Sequence, residues 1–250
     1  MNNDIITSKA NLTVKMIKSL GERKYREENG LFIVEGERFV NELSAMRITP
    51  EYIIASPAYG DKALPIAKRT LRVSDEVFRH LSDVVTPGGI MAVCAIPSHE
   101  EQSLFSMKRI VYLDALQLPD NVGAIIRSAA CAGYDAVVLG KGCADCYSPK
   151  AVRASASNIF HIGVFFDRGG LMEGLKDSGF CIIGAHLKGE ITTPLNAQKL
   201  VLVIGNEGKG MSDALTGMCD SLVKIPIKQG CESLNAAAAA AVLIYKSIGY

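Results

Sequence analysis

The residues best suited to chemistry in this 250-residue chain lie in three segments rich in glycine, carboxylate and amide side chains. Residues 113–127 leave an apolar run, turn through Pro119, Asp120 and Asn121, and enter a helical pattern. Asp120 or Asn121 is placed to cap that helix, with Arg127 about a turn and a half inside it. A capped helix with a surface arginine accounts for the same residues. Residues 204–213 set Gly205, Gly208 and Gly210 around Glu207, directly after the apolar run 200–204. Such glycines let backbone N–H groups approach a ligand, although a flexible turn has the same composition. Residues 225–235 hold Ile225, Pro226, Gly230, Cys231, Ser233, Leu234 and Asn235 ahead of a helix. Capping explains either Ser233 or Asn235, but not both.

Known phosphate motifs fail in the second segment. A P-loop ending at Gly208-Lys209 needs glycine at 203 and Ser or Thr at 210, where Val203 and Gly210 stand. A dinucleotide fingerprint starting at Gly208 needs glycine at 213, which is Asp213. Cys143 and Cys146 have C-x-x-C spacing without a second pair, so no metal is expected. His80, His99, His161 and His186 form no cluster, and no G-x-S-x-G supports a hydrolase triad. Near the start, Arg23, Lys24 and Arg26 surround Tyr25, a grouping suited to phosphate contact and base stacking. The flanking Glu22, Glu27 and Glu28 make a solvated helix face an equal reading.

The elements that position these segments fall into two textures. Residues 9–20 and 36–46 have helical spacing, residues 31–34, 52–55 and 90–96 are strand-like, and Ser74 caps a helix start. A polar stretch at 97–103, opening with Pro97, reads as a linker. Two domains are therefore expected, residues 1–98 and 105–250. In the second, short apolar strands at 110–113, 136–139, 163–166, 180–183, 200–204 and 222–225 alternate with helical segments such as 122–132 and 171–176. Continuous apolar strands separated by helices predict a parallel sheet covered on both faces. The last helix, residues 235–248, carries six consecutive alanines, whose methyl surface permits close backbone approach.

Composition narrows the class without naming it. Apolar residues make up 48% and charged residues 21%, enough for a buried core and against disorder. The longest apolar run, residues 236–245, is half of the roughly 20 residues a spanning helix needs. Met1-Asn2-Asn3-Asp4 shows no signal-peptide pattern, and seven scattered cysteines suggest no disulfide framework, so a reducing cytoplasm is expected. Net charge is +1, with 13 basic and 13 acidic residues before position 101 and 14 and 13 after it. Composition alone therefore gives no nucleic-acid signal.

Taken together, the three segments resemble the three motifs of the SpoU/TrmH family of RNA ribose 2′-O-methyltransferases, within the SPOUT superfamily. Asn121, Gly123 and Arg127 match N-x-G-x-x-x-R. Gly205, Glu207, Gly208 and Gly210 match G-x-E-G-x-G, and Ile225-Pro226 with Ser233-Leu234-Asn235 match the third motif. Residues 148–156 also fit the family, and residues 23–36 are similar to its small RNA substrate-binding domain. One departure is the alanine run after Asn235, where the family has a mixture containing serine and valine.

The resemblance implies a small α/β ribosomal-protein-like domain followed by a methyltransferase domain with a trefoil knot, an exception to the rule that chains avoid knots. It implies S-adenosyl-L-methionine as cofactor, held by Gly205, Gly208, Ile225, Pro226 and Leu234, and a homodimer acting on RNA, ribosomal rather than transfer RNA. Arg127 takes the central catalytic role, with Asn121, Glu207, Ser233 and Asn235 orienting it and the ribose. A guanidinium stays protonated above pH 12, so Arg127 is expected to grip a phosphate and stabilise a developing alkoxide. The competing readings are a tRNA 2′-O-methyltransferase, a non-catalytic RNA-binding or ribosome-assembly factor of the same fold, and an unrelated nucleotide-binding α/β protein.

Overall fold

The computed structural model describes residues 5–230 and 232–250; Met1–Asp4 and Cys231, with the readings made on them, lie outside the described residues. The chain divides into two compact units, Met1–Ile96 with Tyr147–Arg153, and Pro97–Cys146 with Ala154–Tyr250.

The first unit opens with helix α1 (Leu12–Ser19), whose first N–H groups are capped by Asn11 Oδ1. Helix α2 (Arg23–Asn29) stops at Gly30, whose φ of 63° is left-handed and suits glycine. Strand β1 (Leu31–Glu35), helix α3 (Glu37–Ala45), strands β2 (Tyr52–Ala55) and β3 (Arg69–Arg72), helix α4 (Asp75–Leu81) and strand β4 (Ile90–Ala95) follow. The sheet order is β1-β4-β2-β3, with β2 and β3 parallel and the other pairs antiparallel. Ile33, Ile54, Met91 and Val93 of the sheet share a core with Val14 and Ile17 of α1 and Val77 and Phe78 of α4. Ser74 does cap α4, accepting from the Val77 N–H at 3.3 Å. Strand β3 escapes the sequence pattern because it is a largely exposed edge, Arg69-Thr70-Leu71-Arg72.

The second unit begins with the short helix α5 (Glu101–Leu104) and strand β5 (Arg109–Leu113). Then come α6 (Pro119–Cys131), β6 (Ala136–Leu139), α7 (Pro149–Ser155), most of which belongs to the first unit, β7 (Gly163–Phe166), α8 (Leu171–Asp177), β8 (Cys181–Glu190), β9 (Leu200–Ile204), α9 (Asp213–Met218), β10 (Ser221–Val223) and α10 (Ala236–Ser247). The six strands form one parallel sheet in the order β10-β8-β9-β5-β6-β7. Ile110, Tyr112, Val138, Val201 and Val203 face one core with Leu171, Met172 and Leu175 of α8. The intervening positions Val111, Leu113, Leu202 and Ile204 are buried as well. Both faces are covered, which is why these strands read as unbroken apolar runs.

Helix α10 packs against α6. Its buried positions Ala240, Leu243, Ile244 and Ser247 recur at helical spacing. At its far end Ser247 Oγ lies 2.6 Å from the Tyr134 hydroxyl, and Arg109 Nη1 donates to the Ser247 carbonyl at 2.9 Å. No helix among the described residues is long and apolar enough to cross a membrane.

Candidate active site

The strand order reverses direction around β5 and β9. From β5 the chain adds β6 and β7 on one side, then returns to place β8, β9 and β10 on the other. Ligands of open parallel sheets collect beyond the carboxyl ends of the strands at such a switch point. The first two candidate loops leave from these two neighbouring strands.

Each loop is held to the other by side chains bonded to main-chain groups and by one main-chain pair. The Asp114 N–H donates to the Ile204 carbonyl at 2.8 Å, and Asp114 Oδ2 accepts from the Ser212 N–H at 2.7 Å. Asn206 Nδ2 donates to the Ala115 carbonyl at 2.7 Å, while its Oδ1 accepts from the N–H groups of Gly208 and Lys209. Asn206 and Gly210 also exchange main-chain bonds, so the loop folds back on its root. A side chain at Gly205 would place its Cβ 2.7 Å from Met211 Cα, so glycine is required there by close packing. Ala115 adopts a φ of 53°, a conformation disfavoured for a residue with a Cβ.

Glu207 reaches from the second loop to the start of α6. Its Oε2 accepts from the Gln117 N–H and its Oε1 from the Leu118 N–H, both at 3.1 Å. The expected cap at Asp120 or Asn121 is not formed. The helix starts at Pro119, which lacks the N–H that would need a partner, and the carboxylate that holds the two residues before it comes from about 90 residues away. An anion at a helix N-terminus is favoured by the helix dipole.

Asn121 is consequently inside the helix and buried. Its Nδ2 donates to Glu207 Oε1 at 3.0 Å, and its Oδ1 accepts from Asn235 Nδ2 at 2.9 Å. Asn235 caps α10, its Oδ1 accepting from the Ala237 and Ala238 N–H groups at 2.9 and 3.2 Å. An ionised carboxylate can only accept, so Glu207 forces the Asn121 amide to point its nitrogen inward and its oxygen toward Asn235. Glu207, Asn121 and Asn235 therefore form one directed chain of hydrogen bonds through all three loops. Burial pushes the Glu207 carboxyl up, but the bonds from Asn121, Gln117 and Leu118 outweigh it and hold the group below its ordinary 4.5.

The other candidates occupy different settings. Arg127 is exposed on α6 and has no hydrogen bond or ion pair among the described residues, which leaves its guanidinium fork open. Ser233 is also exposed and takes no part in the Glu207–Asn121–Asn235 chain. Gly208 and Pro226 are exposed, Gly205 and Ile225 are half-buried, and Leu234 is 44% exposed. The main-chain groups of residues 225–230 and 232–234 make no hydrogen bond to another described residue. That segment offers free N–H donors and C=O acceptors beside the apolar side chains of Ile225, Ile227 and Leu234, a set suited to the edge and faces of a nucleoside base.

In the first unit the basic group divides. Arg23 and Lys24 are exposed, with Glu27 and Glu28 at 2.7 and 3.8 Å. Arg26 is buried and donates from Nη1 to the Leu20 carbonyl at 2.6 Å, so its side chain braces α1 against α2 and does not reach the surface. Cys143 donates to the Leu113 carbonyl at 3.2 Å, and burial pushes its thiol up to about 11, away from thiolate chemistry at neutral pH. Among the described residues no group of three or more His, Cys, Asp and Glu side chains is arranged to hold a metal ion.

Asn206 and Asp114 are functional supports that sequence reasoning passed over. The signal for Asn206 was its place two residues before a glycine, where an asparagine oxygen often caps its own turn.

Residues 108–245 match the SpoU rRNA Methylase family, and residues 11–92 match the MRM3-like substrate binding domain. The chain is 34% identical over 247 residues to the 23S rRNA (guanosine(2553)-2′-O)-methyltransferase RlmP of Bacillus subtilis, covering 96% of this chain and 97% of that protein. Among solved structures, a putative RNA methyltransferase of the TrmH family from Porphyromonas gingivalis superposes with a TM-score of 0.82 at 29% identity, covering 95% and 97% of the two chains. An AdoMet-bound rRNA methyltransferase from Sinorhizobium meliloti shares the fold at 23% identity, with a TM-score of 0.86 over 98% and 97%. With the family match spanning the parallel-sheet unit and all three interlocked loops, this chain belongs to the SpoU rRNA methylase family.

Proposed function

We propose that this protein transfers the methyl group of S-adenosyl-L-methionine to a ribose 2′-OH of ribosomal RNA. The observation that carries the reading is the Glu207–Asn121–Asn235 chain, which joins three separate loops at the switch point of the sheet. The likeness to a 23S rRNA 2′-O-methyltransferase over nearly the whole of both chains supports 23S rRNA as the substrate. Residues 1–98 would form the RNA substrate-binding domain, with Arg23 and Lys24 on its surface, and residues 105–250 the methyltransferase domain.

Gly205, Gly208, Ile225, Pro226 and Leu234 would hold the cofactor, largely through main-chain groups. The bound cofactor supplies a sulfonium methyl that is already activated for in-line transfer. The protein's task is then to place the 2′-OH and ease the loss of its proton. Arg127 would hold the adjacent phosphate with its bidentate fork and stabilise charge growing on the 2′ oxygen. Asn121, Glu207 and Asn235 fix the loops around it, and Ser233 stands free to contact the ribose. The proton leaves the 2′ oxygen for solvent, since a guanidinium has no free acceptor to take it.

A trefoil knot and a homodimer complete the proposal. β10 lies at one edge of the sheet while α10 returns to α6, so the described residues between them, 224–230 and 232–235, lie at the carboxyl end of the sheet. On α10, Val242 and Tyr245 remain 48% and 38% exposed, which supports an apolar contact with a second copy. Free cysteines and an rRNA substrate favour the cytoplasm.

The test is transfer of labelled methyl into total RNA from cells lacking the protein, with wild type, Arg127→Ala and Arg127→Lys compared. Label in an rRNA band that Arg127→Ala abolishes supports the reading. Label in the tRNA fraction moves the substrate to transfer RNA. Absence of label with the cofactor bound favours a non-catalytic RNA-binding factor. Near-normal turnover by Arg127→Lys would remove the need for a planar fork.

A further inference from the structure

The near-neutral charge of the chain conceals an unequal distribution around the parallel sheet. At the amino ends of the strands three cations are engaged, while Lys108 has no side-chain partner among the described residues. Arg109 is bonded to Ser247, Lys176 lies 3.2 Å from Asp220, and Lys199 donates to the carbonyls of Phe105 and Ser178. At the carboxyl ends the pattern reverses. Lys141 follows β6, Arg168 follows β7 and Lys209 lies in the loop after β9. All three are exposed, and none has an ion pair or side-chain hydrogen bond among the described residues.

These cations also share a local setting. The sequences are Gly140-Lys141-Gly142, Arg168-Gly169-Gly170 and Gly208-Lys209-Gly210. Gly142, Gly169, Gly170 and Gly210 have φ values of 88°, 120°, 87° and 73°, so the main chain turns sharply at each cation and carries no neighbouring side chain on that flank. Nearby carboxylates are committed to other donors. Asp167 accepts from the Tyr112 hydroxyl and the Gly169 N–H, Asp114 from the Ser212 N–H, and Glu207 from Gln117, Leu118 and Asn121. Asp145 and Asp213 complete the acidic side chains of these loops.

We propose that Lys141, Arg168 and Lys209 form a phosphate-holding track along the carboxyl rim of the sheet, taking the RNA strand that flanks the target ribose. The strands that carry them are ordered β9-β5-β6-β7, so the track spans roughly 14 Å at the usual strand spacing. It runs away from the third loop, from the second-motif loop after β9 toward the loops directly after β6 and β7, which hold none of the three motifs. The N–H groups of Gly140, Gly169, Gly208, Lys209 and Gly210 are already donated within the loops, so the cationic side chains themselves would carry the phosphate contact. The proposal rests on the methyl-transfer reading for the identity of the strand as RNA.

The test uses the full chain and fluorescein-labelled oligouridine, with binding followed by anisotropy between about 50 and 200 mM KCl. The double variant Lys141→Gln, Arg168→Gln removes two track cations. Lys108→Gln with Lys176→Gln removes the same charge at the opposite end of the sheet. The expected result is a salt-dependence slope shallower by about 1.4 for the first pair, near 0.7 per lost phosphate contact, with binding on the order of tenfold weaker. The KM for RNA rises while kcat and cofactor affinity hold, and the control pair keeps the wild-type slope. Equal slopes in the two double variants would overturn the track, and methyl transfer by wild type would leave the enzyme reading intact. A shallower slope in a protein that methylates no RNA would keep the track and remove the enzyme reading.

Discussion

The motif loops of the parallel-sheet unit and the basic helix α2 of the first unit both offered chemically apt side chains, yet the two groups are held in opposite ways. Asn121, Glu207 and Asn235 find partners 86 and 114 residues away. Arg23 and Lys24 find theirs four residues along the same helix, and Arg26 turns inward to a carbonyl six residues back. Local pairs on an exposed helix follow from spacing alone and contribute a few tenths of a kcal/mol each. Polar groups joined across such distances need the whole fold to align them, and they mark a place where geometry matters.

Breaking the catalytic side of this contrast should have the largest effect. Arg127→Ala is expected to reduce methyl transfer by at least about 100-fold, as removal of a transition-state charge contact does. Cofactor binding measured by calorimetry should remain, and thermal unfolding should not move, because Arg127 is exposed and unpaired among the described residues. Glu207→Ala strikes the interlock instead. It leaves two main-chain N–H groups and the Asn121 amide without their acceptor, at an expected cost of roughly 1.5–3 kcal/mol. The unfolding midpoint should fall by several degrees, with cofactor affinity falling alongside it.

Acid should loosen the same interlock. The Glu207 pKa is lowered in the folded state from 4.5. Its stabilising contribution is therefore complete above that value and disappears as pH falls through the lower folded value. Melting temperature measured down this range should drop more steeply for wild type than for Glu207→Gln. Equal slopes would separate Glu207 from the acid response.

The first unit supplies the smaller effects. Arg26→Met should destabilise by about 1–3 kcal/mol by freeing the buried Leu20 carbonyl. Arg23→Ala and Lys24→Ala should shift stability by less than about 0.5 kcal/mol each. In RNA binding, the ranking should reverse: the two surface variants lower the salt slope by about 0.7 each, if α2 lies on phosphate. A stable, fully active Arg26→Met protein would erase the distinction between brace and contact.

The strands 136–139, 163–166 and 200–204 were legible to the residue, because burial on both faces leaves only apolar side chains. β3 was illegible for the converse reason, being an exposed edge with arginines at both ends. The start of α6 was misplaced by three residues, since the turn before Pro119 is held by a carboxylate that no local pattern announces. The same separation explains the uneven reading of the site. Which residues belonged to the three loops was visible in their types, but the direction of the Glu207–Asn121–Asn235 bonds was not. Nor did residue type distinguish Asn235, which enters that chain, from Ser233, which stays outside it.

The most direct measurement is a nucleotide-resolution map of ribose 2′-O-methylation in 23S rRNA from cells lacking this protein, complemented with wild type or Arg127→Ala. The expected result is one ribose methyl that returns with wild type and stays absent with the variant. The guanosine equivalent to the one named for the Bacillus subtilis relative is the first position to inspect. Identical maps for the two complemented strains, with both proteins folded and binding cofactor, would contradict methyl transfer to ribosomal RNA by this site.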